Sequence, residues 1–293
     1  MRKESQMEIK KAIIPVAGYG TRFLPFTKAI PKEMLPLIDK PVIQYIIEEV
    51  VASGVHHIAL VTGWNKRAIE DHFDYHFELE HRLQENGKMD YYKAIREVAD
   101  MATFFYVRQK EPKGNGHAIL CARDYINNEP FLASWGDDLI IGENKPYFSQ
   151  LIEVYEKYHA TVLSVMKTDK KGQNRYGIIK SKPLGKGLHQ VLNVIEKPGT
   201  EKAPSNLAHV GGFVLTPTIF EALSQTKPGK GGEIWLQDAI NILIKKEPVY
   251  AYEFQGQRFD TGEKMGFLES TVKMTLRRPE LKKEFKKILK TIL

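Results

Sequence analysis

This sequence predicts an α/β fold: a mostly parallel sheet with helices on both faces, continued by a smaller, more antiparallel lobe. Three observations lead there. Apolar, β-branched segments alternate with helix-like segments from Ala12 to Trp135, the rhythm of βα units. A glycine-bearing turn follows the first apolar run directly. Beyond residue 160 the alternation gives way to strand-like segments with short connections, which antiparallel pairing permits.

The elements follow in order. Ala12 to Val16 reads as a buried strand. Pro15 inside it forfeits a ladder hydrogen bond, so the strand either bulges there or stops short of the apolar run. Val42 to Ser53 carries a helical pattern closed by Gly54, and His57 to Thr62 is the next strand. Lys66 to Phe73 is helical; Glu78 to Asp100 is polar and reads as a helix plus an insertion. Thr103 to Arg108 is a strand rich in aromatic and β-branched residues. His117 to Asp124 is a helix and Phe131 to Trp135 a strand. In the second half, Ala160 to Lys167, Tyr176 to Lys180, Leu188 to Ile195 and Val210 to Thr216 read as strands. No Pro/Gly/Ser-rich linker and no internal repeat divides the chain, so one domain is expected.

A chain of 293 residues, 42% hydrophobic and 27% charged, can bury a sizeable core and is ordinary for a globular protein. No apolar run approaches a membrane span, and the polar Met1–Lys10 stretch has no apolar signal-peptide region. The single cysteine, Cys121, excludes an internal disulfide, fits a reducing cytoplasm, and reads as a buried helix position, not a nucleophile. The net charge of +7 is concentrated partly beyond Arg277, where Leu281, Phe285, Ile288, Leu289 and Ile292 repeat at helical spacing. That segment reads as a surface helix packing one face on the body or on another subunit, ahead of nucleic-acid or membrane binding. A positive field also favours an anionic substrate.

The chemistry concentrates in Ala17-Gly18-Tyr19-Gly20-Thr21-Arg22-Phe23-Leu24-Pro25 and in Pro31-Lys32-Glu33-Met34-Leu35-Pro36. Glycines after a strand let backbone N–H groups approach a phosphate, and an arginine and a lysine accompany them. The third glycine of a dinucleotide fingerprint is missing, since Phe23 holds its place, and no P-loop run exists. Two glycines alone would be an ordinary turn. Their Thr-Arg-x-Leu-Pro continuation makes the pattern specific.

Gly18 to Pro25 resembles the signature loop of the sugar-phosphate nucleotidyltransferases. Lys28 to Pro41 resembles, within that family, the branch that joins UTP to glucose 1-phosphate. The similarity reaches about residue 275. The resemblance implies a Rossmann-like three-layer sandwich: a nucleotide-binding core at about 10–158, a sugar-binding part at 159–262 and a C-terminal helical segment at 263–293. It implies UMP transfer from UTP to glucose 1-phosphate with Mg²⁺, in a cytoplasmic homo-oligomer, dimer or tetramer, with no nucleic acid or membrane partner. Carried over residue by residue, Arg22 would clamp the departing phosphates, with Lys32 beside them. Asp137 and Asp260 would hold the metal. Ala17, Gly18, Gly20, Thr21, Glu33, Gln109 and Gly114 would hold the nucleotide, with Gln109 reading the base edge. Gly177, Glu196, Val210 and Gly211 would hold the hexose, and Lys197 would neutralise its phosphate. His117 reads as a structural residue at a helix start, and Asp138 as a helper or a turn-former.

This chain departs from the family pattern at Trp135-Gly136, where close relatives usually carry Leu-Pro. It departs again at Gly232, where they usually carry an acidic residue, and at Gln237, where they usually carry Thr or Ser. Alternatives stay open: a thymidylyltransferase or another hexose-1-phosphate nucleotidyltransferase, and a non-catalytic nucleotide-sugar sensor. The sensor could dispense with Arg22, Lys32, Asp137 or Asp260, yet all four are present. A nicotinamide-dependent oxidoreductase is opposed by the absent glycine.

Overall fold

The computed structural model describes residues 8–292, so most of the polar N-terminal stretch and Leu293 lie outside the described residues. In chain order the strands are β1 (Lys11–Pro15), β2 (Pro36–Leu37), β3 (Lys40–Pro41), β4 (His57–Thr62), β5 (Thr103–Arg108), β6 (Phe131–Ser134) and β7 (Asp138–Gly142). They continue with β8 (Val162–Lys167), β9 (Gly177–Gly185), β10 (Leu188–Glu196), β11 (Leu207–Leu215), β12 (Tyr250–Glu253) and β13 (Gly256–Asp260). Nine of them form one sheet in the order β5-β4-β1-β6-β11-β8-β12-β10-β9. The first four run parallel, whereas β11 is antiparallel to both β6 and β8.

Side chains alternate across this sheet. Ala12, Ile14, Ile58, Leu60 and Leu132 join a core on one face, with the Val42–Ala52 and Tyr147–Tyr158 helices. Ile13, Ala59, Val61, Phe131 and Ala133 join a second core on the other, with the Asn115–Cys121, Ile219–Gln225 and Leu236–Leu243 helices. Three layers result. The antiparallel part is no separate sheet: pairings run β11–β8–β12–β10–β9 and return to β11. Within β11 the backbone turns at Gly211, φ 72°, and the register shifts between His209 and Phe213. A Cβ at Gly211 would strike Ile140 and the Tyr147 hydroxyl.

Pro15 ends β1 without a bulge, one residue short of the apolar run. Val16 N–H bonds Val61 across to β4, so the nitrogen of Pro15 points the other way, toward β6. Pairing with β6 has already stopped there, at Ile13 with Ala133. The missing donor therefore costs no ladder bond.

Other differences are local. Residues 78–100 form two helices, Phe77–Glu85 and Met89–Asp100, broken at Gly87. The expected 117–124 helix begins earlier and ends at Cys121, with a separate turn at Arg123–Ile126. Cys121 is only partly buried. Residues Pro279–Ile292 form the amphipathic C-terminal helix, which rests on the Lys264–Arg277 helix. Leu281, Phe285 and Leu289 are half-buried, whereas Ile288 and Ile292 are exposed. The helix begins where Arg278 pairs through both terminal nitrogens with Asp39 and bonds the Tyr45 hydroxyl.

Candidate active site

The loops after the parallel strands β1, β4, β5 and β6 open at the carboxyl ends of those strands, where open α/β sheets collect ligands. A cleft of about 550 Å³ lies there. Its walls include Ala17, Gly18, Gly20, Thr21, Arg22, Lys32, Glu33, Gln109, Gly114, Asp137, Gly177, Glu196, Lys197 and Val210. Asp260 lines an adjoining recess that shares Arg22, Asp137 and Lys197. Of the residues to which the resemblance gives substrate or metal contacts, Gly211 alone stays behind the wall. Its N–H donates to Asp138 Oδ2 at 2.8 Å.

The carboxylate end is built by β-pairing. The β7–β13 ribbon sets Asp138 opposite Asp260, which brings the neighbouring Asp137 to the same end. Thr261 Oγ1 donates to the Asp137 carbonyl at 2.7 Å, locking the two loops together. Asp137 Oδ2 and Asp260 Oδ1 each lie 3.4 Å from the point where a Cβ on Gly262 would stand, and Arg22 Nη1 lies 3.6 Å from it. Glycine leaves that space open between two carboxylate oxygens. Such a donor set fits a hard divalent cation whose other positions go to water and phosphate oxygens. Among the described residues no group of three or more His, Cys, Asp or Glu is arranged to hold a metal ion by itself, so any bound cation would take much of its shell from substrate and water.

Charges around this end are tightly paired. Lys32 Nζ sits 2.5 Å from Asp137 Oδ2. Burial opposes the Lys32 charge, but Asp137 and Glu33 outweigh it and hold the ammonium pKa above the usual lysine value. Burial likewise works against the Asp137 carboxylate, and Lys32 prevails, so its pKa falls below the ordinary one. Beneath them Glu33 Oε2 accepts from Lys66 Nζ at 2.9 Å, with both side chains buried. Arg22 donates to the Gly262 carbonyl at 3.2 Å, tying the signature loop to the Asp260 loop. Asp260 Oδ2 accepts from Arg175 at 3.0 Å and from the Tyr176 hydroxyl at 2.9 Å. Asp138 serves the scaffold: its Oδ1 takes Arg258 Nε at 2.6 Å.

At the far end, Gln109 follows β5, and Gly114 stands at φ 95° where a Cβ would meet the Ile234 carbonyl at 2.6 Å. Lys197, a non-glycine residue, adopts φ 45°, a strained setting that often marks a functional position. Its ammonium lies 3.5 Å from Glu196 Oε1 and 5.7 Å from the Trp235 ring centre. Three buried polar atoms here have no partner among the described residues: Glu196 Oε2, Gln237 Oε1 and His209 Nε2. Burial raises the Glu196 pKa, with Lys197 opposing. Burial pushes His209 down to about 4.

Sequence reasoning missed His209, Arg175, Arg258 and Lys66. Arg175, His209 and Arg258 stand within two positions of the named Gly177, Val210 and Asp260, yet each acts through a partner far along the chain: Asp260, Ser164 and Asp138. Lys66 has no motif near it. The departure at Trp135-Gly136 has a local reason. Trp135 packs edge-on against Phe213, and a Cβ at Gly136 would press on Val16 at 2.7 Å and Glu33 at 3.1 Å.

Residues 11–276 match the nucleotidyl transferase family model. A UTP–glucose-1-phosphate uridylyltransferase of Staphylococcus saprophyticus is 49% identical over 286 residues, covering 98% of this chain and 99% of that one. A UTP-bound UGPase from Acinetobacter baumannii superposes with a TM-score of 0.90 at 37% identity, covering 96% of this chain and 99% of the other. A UDP-glucose pyrophosphorylase in complex with UDP-glucose gives 0.84 at 43% identity, covering 92% and 100%. Family model, near full-length identity and fold agree with the cleft built above: this chain belongs to the nucleotidyl transferase family.

Proposed function

We propose that this chain transfers UMP from UTP to glucose 1-phosphate, releasing pyrophosphate and forming UDP-glucose. The observation that carries the reading is the convergence of Asp137, Asp260 and Arg22 on the bare Cα of Gly262, within one cleft that ends in unpartnered polar atoms. A phosphate oxygen of glucose 1-phosphate attacks the α-phosphorus of UTP. The bond from that phosphorus to the bridging oxygen breaks, and pyrophosphate departs with the electron pair. The attacking oxygen is already anionic near neutral pH, so no general base is needed. That suits a cleft whose lining, among the described residues, holds no serine or cysteine beside a histidine. Catalysis then rests on alignment and charge neutralisation.

Arg22 holds the departing phosphates with a planar fork of donors, and Lys32 adds a point charge beside them. Asp137 and Asp260 are the residues that would hold Mg²⁺, which supplies charge neutralisation at the reacting phosphates when bound. Gln109, Gly114 and the Ala17–Thr21 loop hold the uridine, with Glu33 beneath. Glu196 accepts from hexose hydroxyls, and Gln237 and His209 gain partners from the same ring, since buried unpaired polar groups are costly. Lys197 faces the sugar phosphate. The same reading takes residues to about 158 as the nucleotide side, 159–262 as the sugar side and 263–293 as a helical appendage, in a cytoplasmic homo-oligomer.

Pyrophosphate release with UTP and dTTP, each against several hexose 1-phosphates and Mg²⁺, tests the activity. UTP with glucose 1-phosphate is expected to turn over fastest; no release with any pair removes the enzyme reading. Asp137→Asn is expected to lower metal-dependent turnover by about 10²-fold or more with an unchanged circular dichroism spectrum. Full activity in that variant would remove Asp137 from the metal site.

A further inference from the structure

We propose that His117 is a positioning residue: it fixes the Gln109 amide with its carbonyl oxygen toward the cleft, so that the pocket accepts a base carrying N–H at the read position and rejects cytosine. This rests on the reading above, in which Gln109 meets the nucleobase. The argument begins with what surrounds the amide. Gln109 is buried, and its backbone N–H is held by the Thr62 carbonyl at 2.9 Å. Its Nε2 donates to the Gly114 carbonyl at 3.1 Å and lies 3.0 Å from His117 Nδ1.

A backbone carbonyl only accepts, so the amide end facing Gly114 is the NH₂ group. That group carries two hydrogens, and the second meets Nδ1. For Nδ1 to accept, the imidazole is neutral with its proton on Nε2. Burial lowers the His117 pKa, with Lys113 adding to the effect and Glu111 opposing it, so the ring is neutral at neutral pH; the amide hydrogen facing Nδ1 then places the ring proton on Nε2. Cys121 Sγ is the other neighbour of the ring, 3.8 Å from Nδ1 and 3.9 Å from Nε2, so the 3.0 Å amide contact is the closer partner of Nδ1. Both amide hydrogens are thereby used, and Oε1 alone is left to meet a ligand. His117 takes no part in the cleft wall; it acts through Gln109.

An amide oxygen accepts from N3–H of uracil or thymine. Cytosine offers a lone pair at N3, which sets acceptor against acceptor and leaves a buried group unpaired. Removing His117 strands one N–H of the amide and frees the group to turn.

The test compares kcat/KM for UTP and CTP, both with glucose 1-phosphate, in the unaltered enzyme, His117→Ala and His117→Asn. His117→Ala is expected to narrow the UTP:CTP preference about fivefold, the worth of one neutral hydrogen bond. The change falls on KM for UTP and leaves KM for glucose 1-phosphate in place. His117→Asn, which can again accept from Nε2, is expected to restore most of the preference. A preference unchanged in His117→Ala overturns the proposal. Should that variant fail to fold, the unaltered enzyme with N3-methyl-UTP decides: turnover matching UTP overturns the proposal, and loss of turnover supports it. Absence of UTP turnover in the unaltered enzyme would instead overturn the proposed activity, and with it the premise used here.

Discussion

Lys66 and Glu33 show how single residues underwrite the cleft. Lys66 follows Asn65, which stands at φ 59° and donates to the carbonyls of Lys28 and Ala29 at 3.2 Å. The loop after β4 thus grips the segment that carries Lys32, while the Lys66 ammonium reaches the carboxylate of Glu33. Both side chains are almost wholly inaccessible, at 4% and 1%. Removing Lys66 leaves the buried Glu33 carboxylate without its hydrogen-bond donor, facing only Lys32 at 4.0 Å, which is itself held by Asp137. Lys66→Met is therefore expected to lower unfolding free energy by about 3 kcal/mol, read from urea denaturation. Adding Glu33→Leu should recover much of that loss, since the stranded charge is then gone. A midpoint unmoved by Lys66→Met would mean that water already reaches the pair. The motif residues Arg22, Lys32 and Asp137 were visible in the sequence because glycine, proline and charge cluster around them within a few positions. Lys66 was not, because nothing near it in the chain announces a partner 33 residues away.

At the scale of elements, β11 joins the two halves of the sheet, and His209 lies where it bends. His209 Nδ1 donates to the Ser164 carbonyl at 3.1 Å, its ring lies tilted against Phe213 with centres 4.2 Å apart, and the residue is buried at the cleft wall. With a folded pKa of about 4 against an ordinary 6.5, its neutral form is the one the fold accommodates. Its contribution to stability is complete above pH 6.5 and is lost as pH falls toward 4. The loss reaches about 2 kcal/mol by pH 5. Thermal melts at pH 7 and pH 5 should show a smaller drop for His209→Gln than for the unaltered chain; equal drops would sink this assignment. The parallel elements β1, β4, β5 and β6 were legible because each is an apolar run fed by a helical period. The β7–β13 ribbon was not. Its strands are five residues each, lie 118 positions apart at their starts, and acquire meaning only when Asp138 meets Arg258.

For the whole molecule, the C-terminal helix was read correctly as amphipathic, yet the body covers only half its stripe. Ile292 remains 74% exposed and Ile288 45%. If that stripe meets another subunit, truncation after Arg278 should lower the mass seen by light scattering. UDP-glucose formation should persist, since no residue of the cleft lies beyond Glu263. An unchanged mass would assign the contact elsewhere. The long-range joins of the cleft carry a further consequence, for synthesis. Arg22 meets the Gly262 carbonyl across 240 positions, and Asp137 is tied to Thr261 across 124. A chain emerging from the ribosome can assemble its parallel half early, while local contacts accumulate. The pocket for two phosphorylated substrates closes only once Thr261 and Gly262 have been made. Nascent products that stop short of Gly262 are therefore idle, and a catalyst that handles nucleoside triphosphates comes into being all at once, late in its own synthesis.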